Sequence, residues 1–264
     1  MISTGLQNKV ALITGASRGI GKAIALAFAA EGARLAICAR DERMLSQAVD
    51  EIQHASHADV IGVKANMTKL NDIHRFVDAA VKKFDRIDIL VNNAGGAHIG
   101  GILGTTDEEW EYHIQLKLLG YIRMAREVVP CMKKNGGGRI INVVGMAGKE
   151  PSVPLMVPGV TNAALLNFTK SLSRELEGDH IAVNSVNPGT TDTSLTQETL
   201  AAIGKLSSTT PDEVRQSIDA SFPYKRMATV DDVAKVVVFL ASDAANFING
   251  ISINIDAGKS PGVC

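Results

Sequence analysis

The chain has 264 residues, 45% of them hydrophobic, which suffices for one well-filled core and sits near the upper end of a single domain. Its 27 lysines and arginines nearly balance 28 acidic residues, for a formal net charge of -1, so it lacks the positive field of a nucleic-acid binder. Cys38, Cys131 and Cys264 are odd in number and far apart, with no C-x-x-C, and the six histidines fall in no ligand spacing, which argues against a disulfide framework and a metal site. No apolar run approaches the ~18 residues of a membrane span, and the polar stretch before Val10 is too short for a signal peptide. A soluble, cytoplasmic protein with no membrane or nucleic-acid partner is expected.

The apolar run from Val10 to Ile13 reads as a buried strand, and Ile20 to Ala30 as a helix. Between them lies Thr14-Gly15-Ala16-Ser17-Arg18-Gly19-Ile20-Gly21. A strand, a glycine turn and a helix make a phosphate cradle, because glycine lets the backbone approach an anion and the helix opens with unpaired N–H groups at its positive dipole end. The spacing is G-x-x-x-G-x-G rather than the common G-x-G-x-x-G.

A second strand, Arg34 to Ala39, ends at Arg40, about twenty residues past the cradle, where an acid would accept from the ribose of NAD and an arginine accommodates the 2′-phosphate of NADP. With Arg18 in the same neighbourhood and no acid at that position, NADP(H) is expected over NAD(H). The plainer reading of Arg40 is that it precedes a polar helix, Asp41 to Ala55.

Alternation continues with a strand at Val60 to Val63, an amphipathic helix from Asn71 to Phe84 and a strand from Ile87 to Val91, which runs into Asn92-Asn93-Ala94-Gly95-Gly96. A long helix, Thr106 to Lys134, begins at a Thr-Thr-Asp-Glu-Glu cap. Next come a buried strand from Arg139 to Val144, an irregular segment from Gly145 to Thr161 with prolines at 151, 154 and 158, and a helix from Asn162 to Glu177. The strand Ile181 to Val186 leads to Asn187-Pro188-Gly189. Thr190 to Ala220 has no single period and reads as a mobile cover of short helices. A helix from Val230 to Ser242 and a strand from Ile251 to Ile255 close the pattern. Strand alternating with helix throughout predicts an α/β fold: a doubly wound parallel sheet with helices on both faces.

The glycine cradle, N-N-A-G, the N-P-G-x-x-x-T stretch from Asn187 to Thr193 and the late I-N-I-D-A-G together resemble the classical short-chain dehydrogenase/reductase family, over essentially Leu6 to Gly258. The resemblance implies a single-domain Rossmann sheet of seven strands, with a cofactor half of about 6–135 and a substrate and lid half of about 136–258. It also implies hydride exchange between NAD(P)(H) and a small-molecule carbonyl or alcohol, and a homotetramer or homodimer. By the same resemblance Gly15, Ser17, Arg18, Gly19, Ile20 and Gly21 hold the diphosphate side. Asn66 and Met67 lie beside the adenine, with Asn66 where the family usually has Asp; Asn93, Ala94 and Gly95 line the adenosine side. Pro188, Gly189, Thr191 and Thr193 close on the nicotinamide.

The family's catalytic pattern is not matched. Its Ser position holds Gly145, the Tyr and Lys of Tyr-x-x-x-Lys become Pro158 and Asn162, and the Asn position holds Lys117. The remaining candidates for the chemistry are Lys117, whose pKa would fall in an apolar pocket and whose ammonium would polarise a carbonyl or pass a proton, and Asn162, for the ribose hydroxyls. The bland readings are a solvated lysine on a helix flank and ordinary polarity at a helix N-terminus. His98 and Tyr224 are weaker candidates on nearby loops. Two functions remain open: an NADP(H)-dependent oxidoreductase with a non-standard site, or a catalytically silent cofactor-binding protein acting as sensor, scaffold or partner subunit.

Overall fold

The computed structural model describes residues 4–96, 98–207 and 209–262, so Cys264 lies outside the described residues. Seven strands form one sheet in the order β3-β2-β1-β4-β5-β6-β7, and every neighbouring pair is parallel. The strands are β1 Val10–Thr14, β2 Arg34–Ala39, β3 Val60–Lys64, β4 Ile89–Asn92, β5 Gly138–Val143, β6 Ile181–Pro188 and β7 Ser252–Ile255. The chain first builds outward from β1 to β3, then crosses back to lay β4 on the other side of β1. That reversal opens a crevice at the carboxyl ends of β1 and β4, where sheets of this kind take ligands.

Helices cover both faces, which is why the inner strands read as unbroken apolar runs. On one face α1 (Gly19–Ala30), α2 (Glu42–Ser56) and α9 (Val230–Ala241) pack Ile24, Phe28, Ile52 and Val237 against Ile13, Leu35 and Ile37. On the other, α3 (Leu70–Phe84), α5 (Gly120–Lys134) and α6 (Met156–Glu175) pack Phe76, Met124, Val128 and Leu172 against Leu12, Leu90 and Ile140. Fully burying each large side chain of this set contributes roughly 1.5–3 kcal/mol. The Cys38 thiol sits at the end of β2 with no exposure, and burial pushes its pKa up to about 12.

Two expected elements differ. The helix over 106–134 is three pieces: α4 (Asp107–His113) behind a Thr106 capping box, a π-helical turn (Ile114–Leu119), and α5. The wider turn admits an extra residue and rotates the helix beyond it. In addition, α6 starts at Met156, six residues before the expected Asn162. Pro158 therefore lies in its first turn, where a missing N–H costs no helix bond, and Asn162 stands in the second turn rather than at the N-terminus. The segment expected as a cover is two helices, α7 (Ser194–Ser207) and α8 (Pro211–Ser221), joined by a small core of Leu200, Phe222 and Met227. Among the described residues no helix is long and apolar enough to cross a membrane.

Candidate active site

The cradle after β1 is built by glycines that no larger residue replaces. Gly15 has φ +67°, and a Cβ there would come within 2.8 Å of the Cα of Ala94. A Cβ on Gly21 would overlap the carbonyl oxygen of Gly15 and the amide of Asn93. Gly19, at φ +57°, faces the Thr193 methyl 3.6 Å from where its Cβ would be, which brings the cradle up to the strand end at 187–193. Ser17 is half-buried and Ile20 packs partly against the core below, so both hold the loop in shape. Helix α1 opens at Arg18 with no side-chain cap and no acidic residue in its first turn. Unclaimed N–H groups at a positive helix end, with glycine clearance in front, fit a diphosphate.

Asn93 locks this loop to β4. Its Nδ2 donates to the carbonyls of Thr14 and Gly15, both at 3.0 Å, while the Asn93 and Ala94 N–H groups donate to Thr14 Oγ1. The Nδ2 group is thus committed to the scaffold and fixes the loop's position. Just past β3, Asn66 Oδ1 accepts from the Thr68 N–H, and the Asn66 backbone N–H donates to Asp72. The Met67 side chain, 3% exposed, belongs to the core, and its carbonyl oxygen lies against Gly120 at the start of α5. Pro188 is buried, Gly189 donates its N–H to Ile255, and Thr191 Oγ1 donates to Gly189. Thr193 Oγ1 accepts from the Thr196 N–H and starts α7.

The two arginines point to different neighbours. Arg18 pairs with Glu198 of α7 at 3.0 Å, between two exposed side chains, and Arg40 donates to the hydroxyl of Tyr112 on α4. Both guanidinium groups remain partly open at the edge of the crevice.

Lys117 lies in the π-helical turn and points inward. It is 9% exposed, and its Nζ donates to the carbonyl oxygen of Val144, just past β5, at 2.6 Å. Burial alone lowers its pKa from 10.5 to about 8. It is therefore not a solvated flank lysine, because the turn carries it inward beside Gly95, whose Cβ would lie 3.8 Å from Nζ. One turn on, the Tyr121 hydroxyl donates to Val143 at 3.0 Å, and burial pushes that phenol well above its ordinary pKa, so it stays a neutral structural donor.

Gly145, at φ +106°, carries on the wall after Val144. Asn162 reaches toward it, its Nδ2 3.5 Å from the Gly145 oxygen, and its Oδ1 is buried without a partner among the described residues. Pro158 is buried in α6 and supplies no donor. Tyr224 is 72% exposed, away from this cluster. His113 was the missed element: it is 4% exposed one turn before Lys117, and its ring meets edge-on, at 5.8 Å, that of His98, one of the weaker loop candidates. Its signal in the sequence is its four-residue spacing from Lys117. The apolar side chains of Ile102 and Val153 stand exposed on the two loops beside the chamber, which the Gly100 N–H to Pro154 carbonyl bond ties together.

A doubly wound sheet with a glycine cradle at its switch point is the Rossmann dinucleotide-binding architecture. Residues 15–260 match the family model described as enoyl-(acyl carrier protein) reductase, and the chain belongs to the classical short-chain dehydrogenase/reductase family. It is 34% identical over 258 residues to a 3-oxoacyl-(acyl-carrier-protein) reductase of Thermotoga maritima, spanning 96% of this chain and 98% of that one. It is 36% identical over 255 residues to galactitol 2-dehydrogenase of Agrobacterium fabrum, spanning 96% of this chain and 98% of that protein. Among solved structures, L-sorbose reductase from Gluconobacter frateurii, complexed with NADPH and L-sorbose, superposes with a TM-score of 0.95 at 33% identity, covering 99% of this chain and 100% of that one.

Proposed function

We propose that the protein is an NADP(H)-dependent oxidoreductase that interconverts a small carbonyl compound and its alcohol, with Lys117 in the role usually given to a tyrosine. The observation that carries this reading is the buried Lys117 ammonium, which has no carboxylate partner among the described residues and a pKa of about 8. A buried cation held by one neutral carbonyl is poised to stabilise a developing alkoxide and to give it a proton. Bound nicotinamide would supply the hydride. Arg18 and Arg40 support the preference for a 2′-phosphate, and relatives bind both kinds of coenzyme: L-sorbose reductase is complexed with NADPH, and a Brucella melitensis 3-ketoacyl-(acyl-carrier-protein) reductase with NADH.

Within this reading the chain does distinct jobs. The cradle from Gly15 to Gly21 takes the diphosphate; Asn66, Met67, Asn93, Ala94 and Gly95 shape the adenosine side. Pro188, Gly189, Thr191 and Thr193 wall the nicotinamide side, and the unpartnered Asn162 Oδ1 accepts from a ribose hydroxyl. Exposed Phe247 and Ile251, in the segment leading into the edge strand β7, support a homo-oligomer.

A second reading, a cofactor-binding protein without turnover, is favoured by Pro158 and Gly145, which bring no acid, base or hydroxyl to the chamber. One experiment separates the two: NADPH oxidation is followed across a panel of aliphatic, alicyclic and hydroxylated ketones, alongside calorimetric titration with NADPH. Binding with turnover that Lys117→Met lowers by on the order of 10²–10⁴-fold supports the enzyme. Binding without turnover on any ketone supports the silent protein, and no binding of either coenzyme sinks both.

A further inference from the structure

His113 is a buried titratable group that the proposed reaction leaves without a task. It closes α4 one turn before Lys117, and its Nδ1 is buried without a hydrogen-bond partner among the described residues. The His98 ring lies against it; the His98 side chain is 22% exposed, but its Nε2 is buried and makes no hydrogen bond among the described residues, standing 3.4 Å from the carboxylate of Glu109, whose side chain is 39% exposed. His113, His98 and Glu109 are thus successive neighbours leading outward, and Lys117 lies four residues along the helix from His113.

We infer that His113 and His98 form a proton path that reloads Lys117 between turnovers. This rests on Lys117 being the proton donor of the proposed reaction. Each carbonyl reduced would take one proton from the Lys117 ammonium and leave a neutral amine. The amine is enclosed, so bulk water reaches it poorly. The His113 imidazolium gives its N–H proton to that amine, and His98 restores the His113 proton from solvent at the edge. No electrons move in these steps, and one proton enters for each one delivered.

The direction is downhill. Burial first, then the charges of His98 and Lys117, hold His113 below the ordinary histidine pKa, against a smaller upward pull from Glu109, whereas Lys117 sits at about 8. The Tyr112 ring also faces His113, and α6, whose charged side chains are Lys170, Arg174 and Glu175, packs against α4 and the π-helical turn.

The test needs no substrate. In protein labelled with 15N-lysine, the solvent exchange of the Lys117 ammonium protons is measured, with the resonance assigned by its loss in Lys117→Met. His113→Asn should slow exchange at least about tenfold, and added imidazole should restore part of the rate. His98→Asn, at the more open edge, should slow it in the same direction by a smaller factor and stands in if His113→Asn fails to fold. An unchanged rate in the folded variants overturns the path. Ketone turnover in Lys117→Met within a factor of two of the parent overturns instead the role of Lys117 as donor, so the two failures are told apart.

Discussion

The Nζ of Lys117 lies 2.6 Å from the carbonyl oxygen of Val144, and this is its only hydrogen bond among the described residues. An ammonium has three protons to give, so two remain for whatever enters the chamber. Lys117→Met keeps the length and apolar stem of the side chain but removes those protons. We expect turnover to fall on the order of 10²–10⁴-fold, with NADPH affinity near that of the parent protein, as read by initial rates and calorimetry. A rate within a factor of two of the parent would make Lys117 a bystander.

The lowered pKa of Lys117 sets a pH profile with a definite sign. Carbonyl reduction needs the ammonium, so its rate should hold below about pH 8 and fall above it, while alcohol oxidation needs the free amine and should rise over the same range. Stability obeys a related rule. Between about 8 and the unfolded value of 10.5 the unfolded chain binds the proton that the folded chain has lost, so this group makes stability increase with pH across that window, by on the order of 3 kcal/mol in all, and adds no slope below it. Denaturant titrations from pH 7 to 10 should show the increase in the parent and lose it in Lys117→Met.

Arg18 is shared between the cradle and Glu198, and this bears on coenzyme choice. Arg40→Asp places a like charge beside a 2′-phosphate and should reverse or abolish the preference for NADPH over NADH, a change of roughly 10–100-fold in the ratio of dissociation constants. Glu198→Ala frees Arg18 from an exposed ion pair worth ~0–1 kcal/mol, so NADPH should bind up to about fivefold more tightly and NADH hardly differently. Equal affinities for the two coenzymes before and after both changes would remove the arginines from this role.

Gly145 predicts the outcome of an obvious repair. With φ at +106° and a Cβ that would meet the Asn162 amide at 3.1 Å, Gly145→Ser alone strains the backbone and should cost about 1–3 kcal/mol in thermal or denaturant unfolding. Gly178→Ala, with open space around it and no φ in the left-handed region, serves as the control and should cost at most about 1 kcal/mol. Installing Gly145→Ser, Pro158→Tyr and Asn162→Lys together should raise the rate on a simple ketone only if the wall after Val144 shifts, and an equal loss of stability in the glycine control would refute the strain argument.

The strand and helix alternation was legible because strands covered on both faces must be apolar throughout, as Val10 to Ile13 and Ile140 to Ile141 are. The cradle was legible because only glycine satisfies the close approaches at Gly15 and Gly21. Three things were not. The π-helical turn that aims Lys117 inward leaves no periodic trace distinct from an ordinary helix. The start of α6 was hidden by three prolines that suggest a loop, although the last of them suits a first turn. The partnership of His98 with His113 depends on a loop folding back onto α4, and no local pattern reports that contact.

Cys38 has a practical consequence. A thiol at the end of β2 with no exposure, its pKa pushed up to about 12, offers no thiolate to an alkylating reagent while the sheet is intact. Timed iodoacetamide labelling with peptide mass spectrometry at that position therefore counts openings of the β1–β2–β3 edge, turning one native atom into a clock for how often the nucleotide-facing half of the molecule comes apart.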